Sequence, residues 1–313
     1  MPELVALVGP TAVGKTDLSI ELAKRLNAEI VGCDSMQVYR GMSRLTTQPS
    51  AEQHAAVPHH VMSCAEPTEH FSVGQYRQLA LAAIRDIQRR GKRALLVGGT
   101  GMYLKALQRG LCQAPAEQPV VRQQLLDAIR AQGSAVFHDR LRRVDPVAAA
   151  KIHPHDARRI VRALEVFEVS GRPLSSFWEE ATAQAMPIEV IGLTRERAEL
   201  YVRINRRVEC MIRDQAVLEE ARRLQRLPLS RTALQVHGLR FVQAHLRGAP
   251  LEDVIFPWQQ QVRNYARRQL IWFRADPRIR WLTLGSDESI ERIVDRILGS
   301  LQSTVNSVQA KLL

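Results

Sequence analysis

The stretch that decides the fold is LVALVGPTAVGKTDLSIELAKRL, residues 4–26. Its first five residues are an apolar run typical of a buried parallel strand, and they lead directly into GPTAVGKT, residues 9–16. Apolar residues then recur at helical spacing, at Leu18, Leu22 and Leu26. A loop with the spacing G-x-x-x-x-G-K-[ST] between a strand and a helix is the context in which such loops bind phosphates. We therefore expect a diphosphate site near the start of the chain.

Each part of this loop has a chemical task. The backbone amides and the helix N-terminus are expected to hold the diphosphate, Lys15 to neutralise it, and Thr16 to coordinate Mg²⁺. The predicted diphosphate-binding residues are Gly9, Pro10, Thr11, Ala12, Val13, Gly14, Lys15 and Thr16. A site of this kind requires a diphosphate, which need not be part of ATP.

The pattern beyond the loop predicts an α/β fold, a parallel sheet of the P-loop NTPase type flanked by helices. Further strands are expected at Ala28–Gly32, Arg93–Val97, Ile188–Leu193 and Arg280–Leu284. Between them, Ser72 and Gln75 have the spacing of a capping box that begins a helix running to about Arg90. Alternating strands and helices of this kind favour a parallel sheet.

One segment lacks strand signals. Residues 113–186 show only helix patterns, such as Asp145 before Pro146, and Asp156 as the cap of a helix over Ala157–Ser170 that Gly171 ends. We therefore expect an all-helical insertion at 113–186, with residues 1–112 and 187–313 forming the α/β core.

The composition sets broad limits. The chain has 313 residues, of which 45% are hydrophobic and 24% charged, as is ordinary for a soluble globular protein. Its four cysteines are scattered and form no C-x-x-C pair, which argues against a zinc site or a disulfide framework; they are Cys33, Cys64, Cys112 and Cys210. No apolar run approaches the roughly 18 residues of a membrane span, and no signal peptide pattern is present. A cytoplasmic location is expected.

The charge suggests a polyanionic partner. The formal net charge is +12, and most of the excess lies in residues 187–282. A basic half of this kind favours contact with nucleic acid.

Asp34 is the acid best placed for chemistry. A kinase or ATPase of this class requires a carboxylate at the end of a neighbouring strand to hold magnesium. The strand Arg93–Val97 instead runs into GGTG, residues 98–101, whereas Asp34 ends the strand at 28–32. Ligands bind beyond the carboxyl ends of such strands, so Asp34 should face the chemistry. Its role remains open among a general base, a metal ligand and a helix cap.

Five stretches together resemble the tRNA dimethylallyltransferase family, also called tRNA isopentenyltransferases. The resemblance runs in consistent order from about residue 4 to residue 284. The stretches are GPTAVGKT at 9–16, CDSMQVYRGM at 33–42, LLVGGTGMYLKAL at 95–107, IHPHDARRIVRALEVFEVSGRPLS at 152–175 and NYARRQLIWFR at 264–274. The family implies transfer of a dimethylallyl group from its diphosphate to the N6 amine of the adenosine just 3′ of the anticodon, position 37, in tRNA. The loop would then hold the diphosphate of an allylic substrate, with Mg²⁺ as cofactor.

The resemblance also implies roles for individual residues. Asp34, Thr100 and Lys15 are the candidate catalytic residues, with Asp34 as the base and Thr100 near the adenosine and the reacting groups. Arg207, and Arg203 one turn earlier, would reach the diphosphate. The alternative for both arginines is a solvated basic helix face.

The family's tRNA contacts map onto four regions of this chain. They are Asp34, Ser35, Met36 and Gln37 with Thr100; Arg122; Arg158, Arg159, Ile160, Val161 and Arg162; and Gln235, Val236, His237, Gly238, Leu239 and Arg240. Because Arg158 and Arg162 are four residues apart on a helix, they are expected to share a face suited to phosphates. The alternative is that these arginines only keep the surface soluble. The expected partners are the tRNA anticodon stem-loop and dimethylallyl diphosphate, with no membrane, and the protein is expected to be a monomer.

The chain departs from the family pattern in its periphery. After DSMQVYRGM the family usually continues DIGTAKP, whereas this chain has SRLTTQP at 43–49, without the glycine and the lysine. The usual Gly-Tyr near the last contact region is Gly238-Leu239, and a helix glycine usual after RRVExM is absent. Three other functions remain as alternatives: a small-molecule kinase, a prenyltransferase of free adenine nucleotides, and a catalytically weak RNA-binding protein.

Overall fold

The computed structural model describes residues 4–111 and 114–309. Within them lies a six-stranded parallel sheet in the order β3-β2-β4-β1-β5-β6. The strands are β1 (Leu4–Val8), β2 (Ala28–Cys33), β3 (His59–His60), β4 (Arg93–Gly98), β5 (Glu189–Thr194) and β6 (Arg280–Thr283). The predicted parallel sheet is confirmed, and the ends of the five predicted strands differ from the observed ones by at most one residue. The edge strand β3 was not predicted, because two residues are too short to show an alternating pattern.

The structure divides into two compact units, one of residues up to Lys105 and from Pro187 onward, and the other of Ala106–Met186. The first contains the sheet. Its helices are α1 (Lys15–Leu26), α2 (Ala51–Ala56), α3 (Val73–Arg89), α4 (Gly101–Gln108), α10 (Arg197–Arg213), α11 (Gln215–Leu224), α12 (Leu239–Leu246), α13 (Leu251–Arg274) and α14 (Ile290–Gln309). The last three residues of α4 belong to the second unit, and a 3-10 turn lies at Ala233–Gln235. Helix α1 packs on β2, β4 and α14, while α13 packs against α10 and α12. Among the helices described, none has the length and apolar character needed to cross a lipid bilayer.

The second unit is built from helices around its own core. They are α5 (Pro119–Gln132), α6 (Ser134–Val144), α7 (Pro146–Lys151), α8 (Ala157–Ser170) and α9 (Leu174–Thr182). The predicted caps are present: the Asp145 carboxylate accepts from the amide of Ala148 at 2.9 Å, the Asp156 carboxylate accepts from that of Arg159 at 3.1 Å, and Gly171 ends α8 with a φ of 69°. The predicted boundary at 112/113 falls on Cys112 and Gln113, which lie outside the described residues.

The register of the three central strands determines at which edge of the sheet the site lies. Gly98 at the end of β4 pairs with Val8 of β1 on one side and with Cys33 of β2 on the other. The three strands therefore end at one level, and the segments that follow them leave from the same edge of the sheet. Ligands of parallel sheets bind at such an edge, beyond the carboxyl ends of the strands.

Candidate active site

The phosphate-binding loop has the backbone that its sequence predicts. Gly9 has a φ of 151°, and a side chain there would place Cβ 2.6 Å from the carbonyl oxygen of Leu193. Gly14 precedes α1 with a φ of 108°. The Lys15 side chain folds back over the loop, and its Nζ donates to the carbonyl oxygens of Gly9 at 2.9 Å and Pro10 at 2.8 Å. The loop is therefore closed around the lysine that is expected to meet the diphosphate.

The charge of Lys15 is sensitive to its surroundings. Burial lowers the pKa of Lys15 to about 8, because it removes water from around the ammonium group. Asp34 acts in the opposite direction and raises this pKa, while Arg207 lowers it further. An anion bound beside Lys15 would favour its charged form.

Both predicted arginines reach the loop from α10. The Nε of Arg203 donates to the carbonyl oxygen of Ala12 at 2.9 Å. Arg207 donates from Nη1 to the hydroxyl of Thr11 at 3.2 Å and from Nη2 to the hydroxyl of Thr47. Burial lowers the pKa of Arg207, and nearby Asp34 opposes that shift. The two arginines contact the loop, so the alternative of a purely solvated helix face does not describe them.

Asp34 and Thr100 lie at the ends of adjacent strands. One carboxylate oxygen of Asp34 accepts from the amide of Met36 at 2.9 Å. The Thr100 hydroxyl accepts from the amide of Ser35 at 2.9 Å, and the Thr100 amide donates to the carbonyl oxygen of Cys33 at 3.1 Å. Residues 35–38 form turns, so Asp34 stabilises a turn and not a helix. This contact leaves the roles of general base and metal ligand open.

Asp34, the phosphate-binding loop and the arginines of α10 line one cavity of about 540 Å³; Thr100 is not among its lining residues. Its walls include Asp34, the loop residues Thr11, Ala12, Gly14, Lys15 and Thr16, and the α10 arginines Arg203, Arg206 and Arg207. Gln37, which belongs to the predicted tRNA contacts, also lines it, and its side-chain amide donates to the carbonyl oxygens of Thr46 and Thr47 at 3.3 and 3.1 Å. The cavity thus joins the predicted diphosphate residues to the candidate base.

Helix α13 supplies two side chains to which the sequence analysis gave no role. Buried Gln269 accepts from the amide of Thr11 at 2.8 Å and donates to the carbonyl oxygen of Gly99 at 2.9 Å. A side chain at position 99 would place Cβ 2.2 Å from the Gln269 amide nitrogen, so glycine is needed there. Tyr265, one turn earlier, also lines the cavity. The sequence did contain an indication of these two residues: Tyr265 and Gln269 lie four residues apart within the NYARRQLIWFR stretch.

A further residue that the sequence analysis missed anchors the other side of the loop. Arg195, which follows β5, donates from Nε to the carbonyl oxygen of Val13 at 3.0 Å. Its guanidinium also forms an ion pair with Glu199 on α10. Arg195 therefore ties the loop to α10.

The divergent segment at 43–49 is held by a buried carboxylate. Glu220 of α11 accepts from the amides of Arg44 at 3.0 Å and Leu45 at 2.8 Å. Gln48, in the position of the family's usual lysine, donates to the carbonyl oxygens of Gln37 at 2.8 Å and Tyr39 at 3.1 Å. The segment is thus fixed by the Glu220 carboxylate and by the side-chain amide of Gln48.

The predicted contact region at 235–240 is only partly exposed. Gln235 and Arg240 are exposed, whereas Val236 and Leu239 are 6% and 3% exposed. The side chains of Val236 and Leu239 belong to the core, and the contact of residues 235–240 with tRNA stays a prediction. The ring of His237 lies 4.3 Å from that of Tyr265, and burial lowers the pKa of His237 to about 4.

The helical unit corrects one expectation, that Arg158 and Arg162 together form a phosphate-binding face. Ile160 and Val161 have no exposed surface and belong to the core of that unit, so their side chains are not free to contact tRNA. Arg122 and Arg162 each lie 3.2 Å from the buried carboxylate of Glu165. These two guanidinium groups therefore neutralise a buried acid, and Arg162 does not form a free phosphate-binding pair with Arg158.

Two predicted arginines of the helical unit remain at the surface. Arg158 and Arg159 are exposed at the start of α8, and Arg159 pairs with Asp156 at 3.3 Å. They are the members of the predicted cluster that are accessible to a polyanion.

Comparison with known proteins agrees with this arrangement. Residues 37–276 match the family model described as IPP transferase, and residues 2–59 match the model described as isopentenyl transferase. Over 284 residues the chain is 45% identical to a tRNA dimethylallyltransferase of Geobacter metallireducens, covering 89% of this chain and 92% of that protein.

Two solved structures share the fold over most of the chain. A tRNA isopentenylpyrophosphate transferase from Bacillus halodurans is 37% identical with a TM-score of 0.69, and the match covers 99% of this chain and 100% of that one. A eukaryotic dimethylallyltransferase acting on tRNA is 28% identical with a TM-score of 0.69, covering 90% of this chain and 74% of that one. The resemblance inferred from the five sequence stretches is confirmed.

Proposed function

The chain belongs to the IPP transferase family, and we propose that it transfers a dimethylallyl group from dimethylallyl diphosphate to the N6 amine of the adenosine at position 37 of tRNA. The observation that carries this proposal is the convergence of three strand ends. The phosphate-binding loop after β1, Asp34 after β2 and Thr100 after β4 leave the sheet at one level, and the loop and Asp34 line the same cavity. The residues that would hold the leaving group and the candidate proton acceptor can therefore act on the same pair of substrates.

The diphosphate is the leaving group of the proposed reaction. The bond between C1 of the dimethylallyl group and the diphosphate oxygen breaks, and its electron pair leaves with the diphosphate. Lys15, Arg203 and Arg207 lie around the loop and would stabilise this charge together with the loop amides. The carbonyl oxygens that Lys15 contacts would give way to phosphate oxygens, which are stronger acceptors because they are charged.

The nucleophile is the exocyclic amine of adenine. Its lone pair is delocalised into the ring, so the amine is weak unless a proton is removed as the new bond forms. The N6 lone pair forms the bond to C1, and the amine proton passes to the carboxylate of Asp34. Thr100, whose hydroxyl is held by the amide of Ser35, would lie beside the reacting amine.

The cavity has the donor types that magnesium prefers. Thr16, Asp17 and Asp34 line it and offer a hydroxyl and two carboxylates. Within the described part of the chain no group of three or more His, Cys, Asp or Glu residues is arranged to hold a metal. We therefore expect Thr16 to hold Mg²⁺ jointly with the diphosphate oxygens. When bound, the cation would neutralise charge on the leaving diphosphate.

The acceptor is proposed to be a tRNA anticodon loop. An adenosine stacked in that loop must leave its stack to reach a cavity of this kind, as bases do in other base-modifying enzymes. Arg158, Arg159 and Arg240 are exposed and would contact the RNA backbone. We expect the protein to act as a monomer in the cytoplasm.

The test is direct transfer. Purified protein is incubated with tRNA from a strain that lacks this modification, dimethylallyl diphosphate and Mg²⁺, and the nucleosides are analysed by mass spectrometry. We expect one dimethylallyl group on a single adenosine, and no product with the Lys15→Ala variant. Hydrolysis of ATP stimulated by tRNA, with no prenyl transfer, would show that the donor has been misassigned. Faster modification of free adenine nucleotides than of tRNA would identify the acceptor as the mononucleotide.

A further inference from the structure

Arg207 is a cation without an ion-pair partner beside the phosphate-binding loop. It is half-buried, and its guanidinium donates to two hydroxyls, that of Thr11 at 3.2 Å and that of Thr47. Among the described residues no carboxylate forms an ion pair with it, and Asp34 acts on it only through its charge. Two of its five N–H donors are used by the hydroxyls, so three remain for an anion that binds at the loop.

The Thr47 hydroxyl is oriented as an acceptor for this cation. It donates its own proton to the carbonyl oxygen of Thr46 at 2.8 Å, which leaves its lone pairs for Arg207. Thr47 and Arg207 both line the cavity of about 540 Å³, the main cavity of the site. Their contact therefore lies on the wall where a ligand of the phosphate-binding loop would bind.

The backbone of Thr47 has a conformation that threonine rarely adopts. Its φ is 49°, in the left-handed region, where a β-branched residue is an outlier. Its amide donates to the carbonyl oxygen of Arg44 at 3.2 Å, and its carbonyl oxygen accepts from the side chain of Gln37 at 3.1 Å. Strain that surrounding contacts maintain in this way is typical of functional sites. Here the strained residue is the one whose hydroxyl binds Arg207.

The residues on both sides of Thr47 are fixed as well. The buried carboxylate of Glu220 accepts from the amide of Leu45 at 2.8 Å, and the hydroxyl of Ser63 donates to the side-chain oxygen of Gln48 at 2.8 Å. The Thr47 hydroxyl is therefore a fixed point on the cavity wall. In the family's usual pattern position 47 is alanine, which has no hydroxyl, so the contact with the guanidinium depends on the threonine of this chain.

We infer that Thr47 is a positioning residue that holds the Arg207 guanidinium toward the diphosphate of the donor. This inference rests on the proposed function, since it takes the ligand of the phosphate-binding loop to be a diphosphate. A guanidinium that is already oriented loses little side-chain entropy when the anion binds. Without the hydroxyl, binding of the anion would have to order Arg207, and the affinity would fall.

The test removes the hydroxyl and restores it. Thr47→Ala and Thr47→Ser both lose the methyl group, but only serine keeps the acceptor for Arg207. The Kd of inorganic diphosphate in the presence of Mg²⁺ is measured by calorimetry for both variants and for the parent. We expect Kd to rise about 3–10-fold in Thr47→Ala, the usual cost of one lost hydrogen bond, and to stay near the parental value in Thr47→Ser.

Two further variants keep this test interpretable. Ser43→Ala removes a hydroxyl from an exposed position of the same segment and should leave Kd unchanged. Thermal melting of the free proteins checks that each variant is folded. If Thr47→Ala does not fold, Thr47→Gly replaces it, because glycine suits a positive φ and also lacks the hydroxyl. A parental Kd in the folded variant without the hydroxyl overturns the inference.

A double-mutant cycle shows whether Thr47 acts through Arg207. The Kd of inorganic diphosphate is measured for Arg207→Ala with and without Thr47→Ala. We expect no further loss of affinity from the second change, because the guanidinium that the hydroxyl orients is already absent. An equal loss in both backgrounds would make Thr47 a direct ligand of the diphosphate and would overturn the positioning role.

The binding measurement does not depend on the transfer reaction. If the parent transfers no dimethylallyl group to tRNA but Thr47→Ala binds inorganic diphosphate more weakly, the proposed function fails and the role of Thr47 is supported. If the parent does transfer the group, we expect Thr47→Ala to raise KM for dimethylallyl diphosphate and Thr47→Ser to restore it. Transfer by the parent together with an unchanged KM and Kd in Thr47→Ala overturns the inference alone.

Discussion

Asp34 is the residue on which the proposed proton transfer depends. It lies at the end of β2, lines the main cavity, and affects the pKa values of Lys15 and Arg207 through its charge. Its contact with the amide of Met36 orients the carboxylate and uses one of its two oxygens. The geometry is compatible with a base and with a metal ligand, so a substitution must distinguish the two.

We predict that Asp34→Asn slows single-turnover transfer by about 10²–10⁴, the usual cost of losing a general base. The amide keeps the shape and one acceptor oxygen, so diphosphate affinity should change little. Rapid-quench kinetics at saturating tRNA measures the first quantity and calorimetry the second. A loss of Mg²⁺-dependent diphosphate binding that high Mg²⁺ partly rescues would instead identify Asp34 as a metal ligand.

Lys15 should make diphosphate binding depend on pH. Because its pKa in the free protein is lowered to about 8, the side chain is charged below that pH and loses its charge above it. The charged form binds the anion, so affinity should be high near pH 7 and fall as the pH rises through about 8. Calorimetric titration with dimethylallyl diphosphate from pH 7 to pH 9.5 measures this change.

The Lys15→Arg variant and a second lysine serve as controls for that titration. Arginine keeps its charge over this range, so the decline in affinity should disappear in Lys15→Arg. Lys24→Met removes an exposed lysine from the same helix and should leave the decline unchanged. A decline that is equal in Lys15→Arg and the parent would locate the titrating group elsewhere.

At the scale of elements, α13 connects the loops that the sheet only brings close. Gln269 contacts the phosphate-binding loop through Thr11 and the glycine-rich loop after β4 through Gly99. One buried amide therefore sets the distance between the diphosphate residues and Thr100. The helix contributes to the site through this positioning as well as through Tyr265 on the cavity wall.

We predict that Gln269→Leu lowers kcat/KM by about 10–100-fold, because small displacements of positioning groups are costly. It should also lower the free energy of unfolding by about 1–3 kcal/mol, since a buried amide and carbonyl lose their partner. Steady-state kinetics and urea unfolding measure the two effects. Gln260→Leu, the same change at an exposed position of α13, should show neither. Parental kinetics in Gln269→Leu would contradict the positioning role.

At the scale of the whole molecule, the excess positive charge is divided between structural and accessible arginines. Arg122 and Arg162 are used internally by Glu165, while Arg158 and Arg159 are exposed. Of these four arginines, Arg158 and Arg159 are the two that can release counterions when RNA binds.

We predict that Arg158→Ala with Arg159→Ala weakens tRNA binding and reduces its salt dependence. The slope of log K against log salt should become less steep by about 0.7–0.9 for each lost phosphate contact. Because two arginines are removed, at most about two contacts are lost. Filter binding at several salt concentrations measures the slope. Arg162→Ala should instead destabilise the helical unit, because it leaves the buried Glu165 without one of its two cations. Parental binding by the double variant at all salt concentrations would mean that these arginines only solvate the surface.

The sequence by itself determined the elements whose signals are local. The run Leu4–Val8, the glycine loop and the Leu18–Leu26 stripe specify strand, loop and helix through side-chain period and backbone freedom, which need no distant contact. The caps at Ser72, Asp145 and Asp156 were equally readable, since each acts within three residues. The ends of β2 and β4 were predictable, and so was the position of Asp34 beside the phosphate-binding loop.

The tertiary structure alone decided which side chains meet across the chain. Gln269 reaches Thr11 over 258 residues of sequence, and Glu220 holds Leu45 over 175, separations that no local pattern records. The same limit explains what the sequence analysis got wrong in the helical unit. Helical spacing placed Arg158 and Arg162 on one face, but only the packing shows that Arg162 binds Glu165 and that Ile160 and Val161 lie in the core. Spacing fixes the direction of a side chain from its helix, whereas its partner depends on what the rest of the chain brings there.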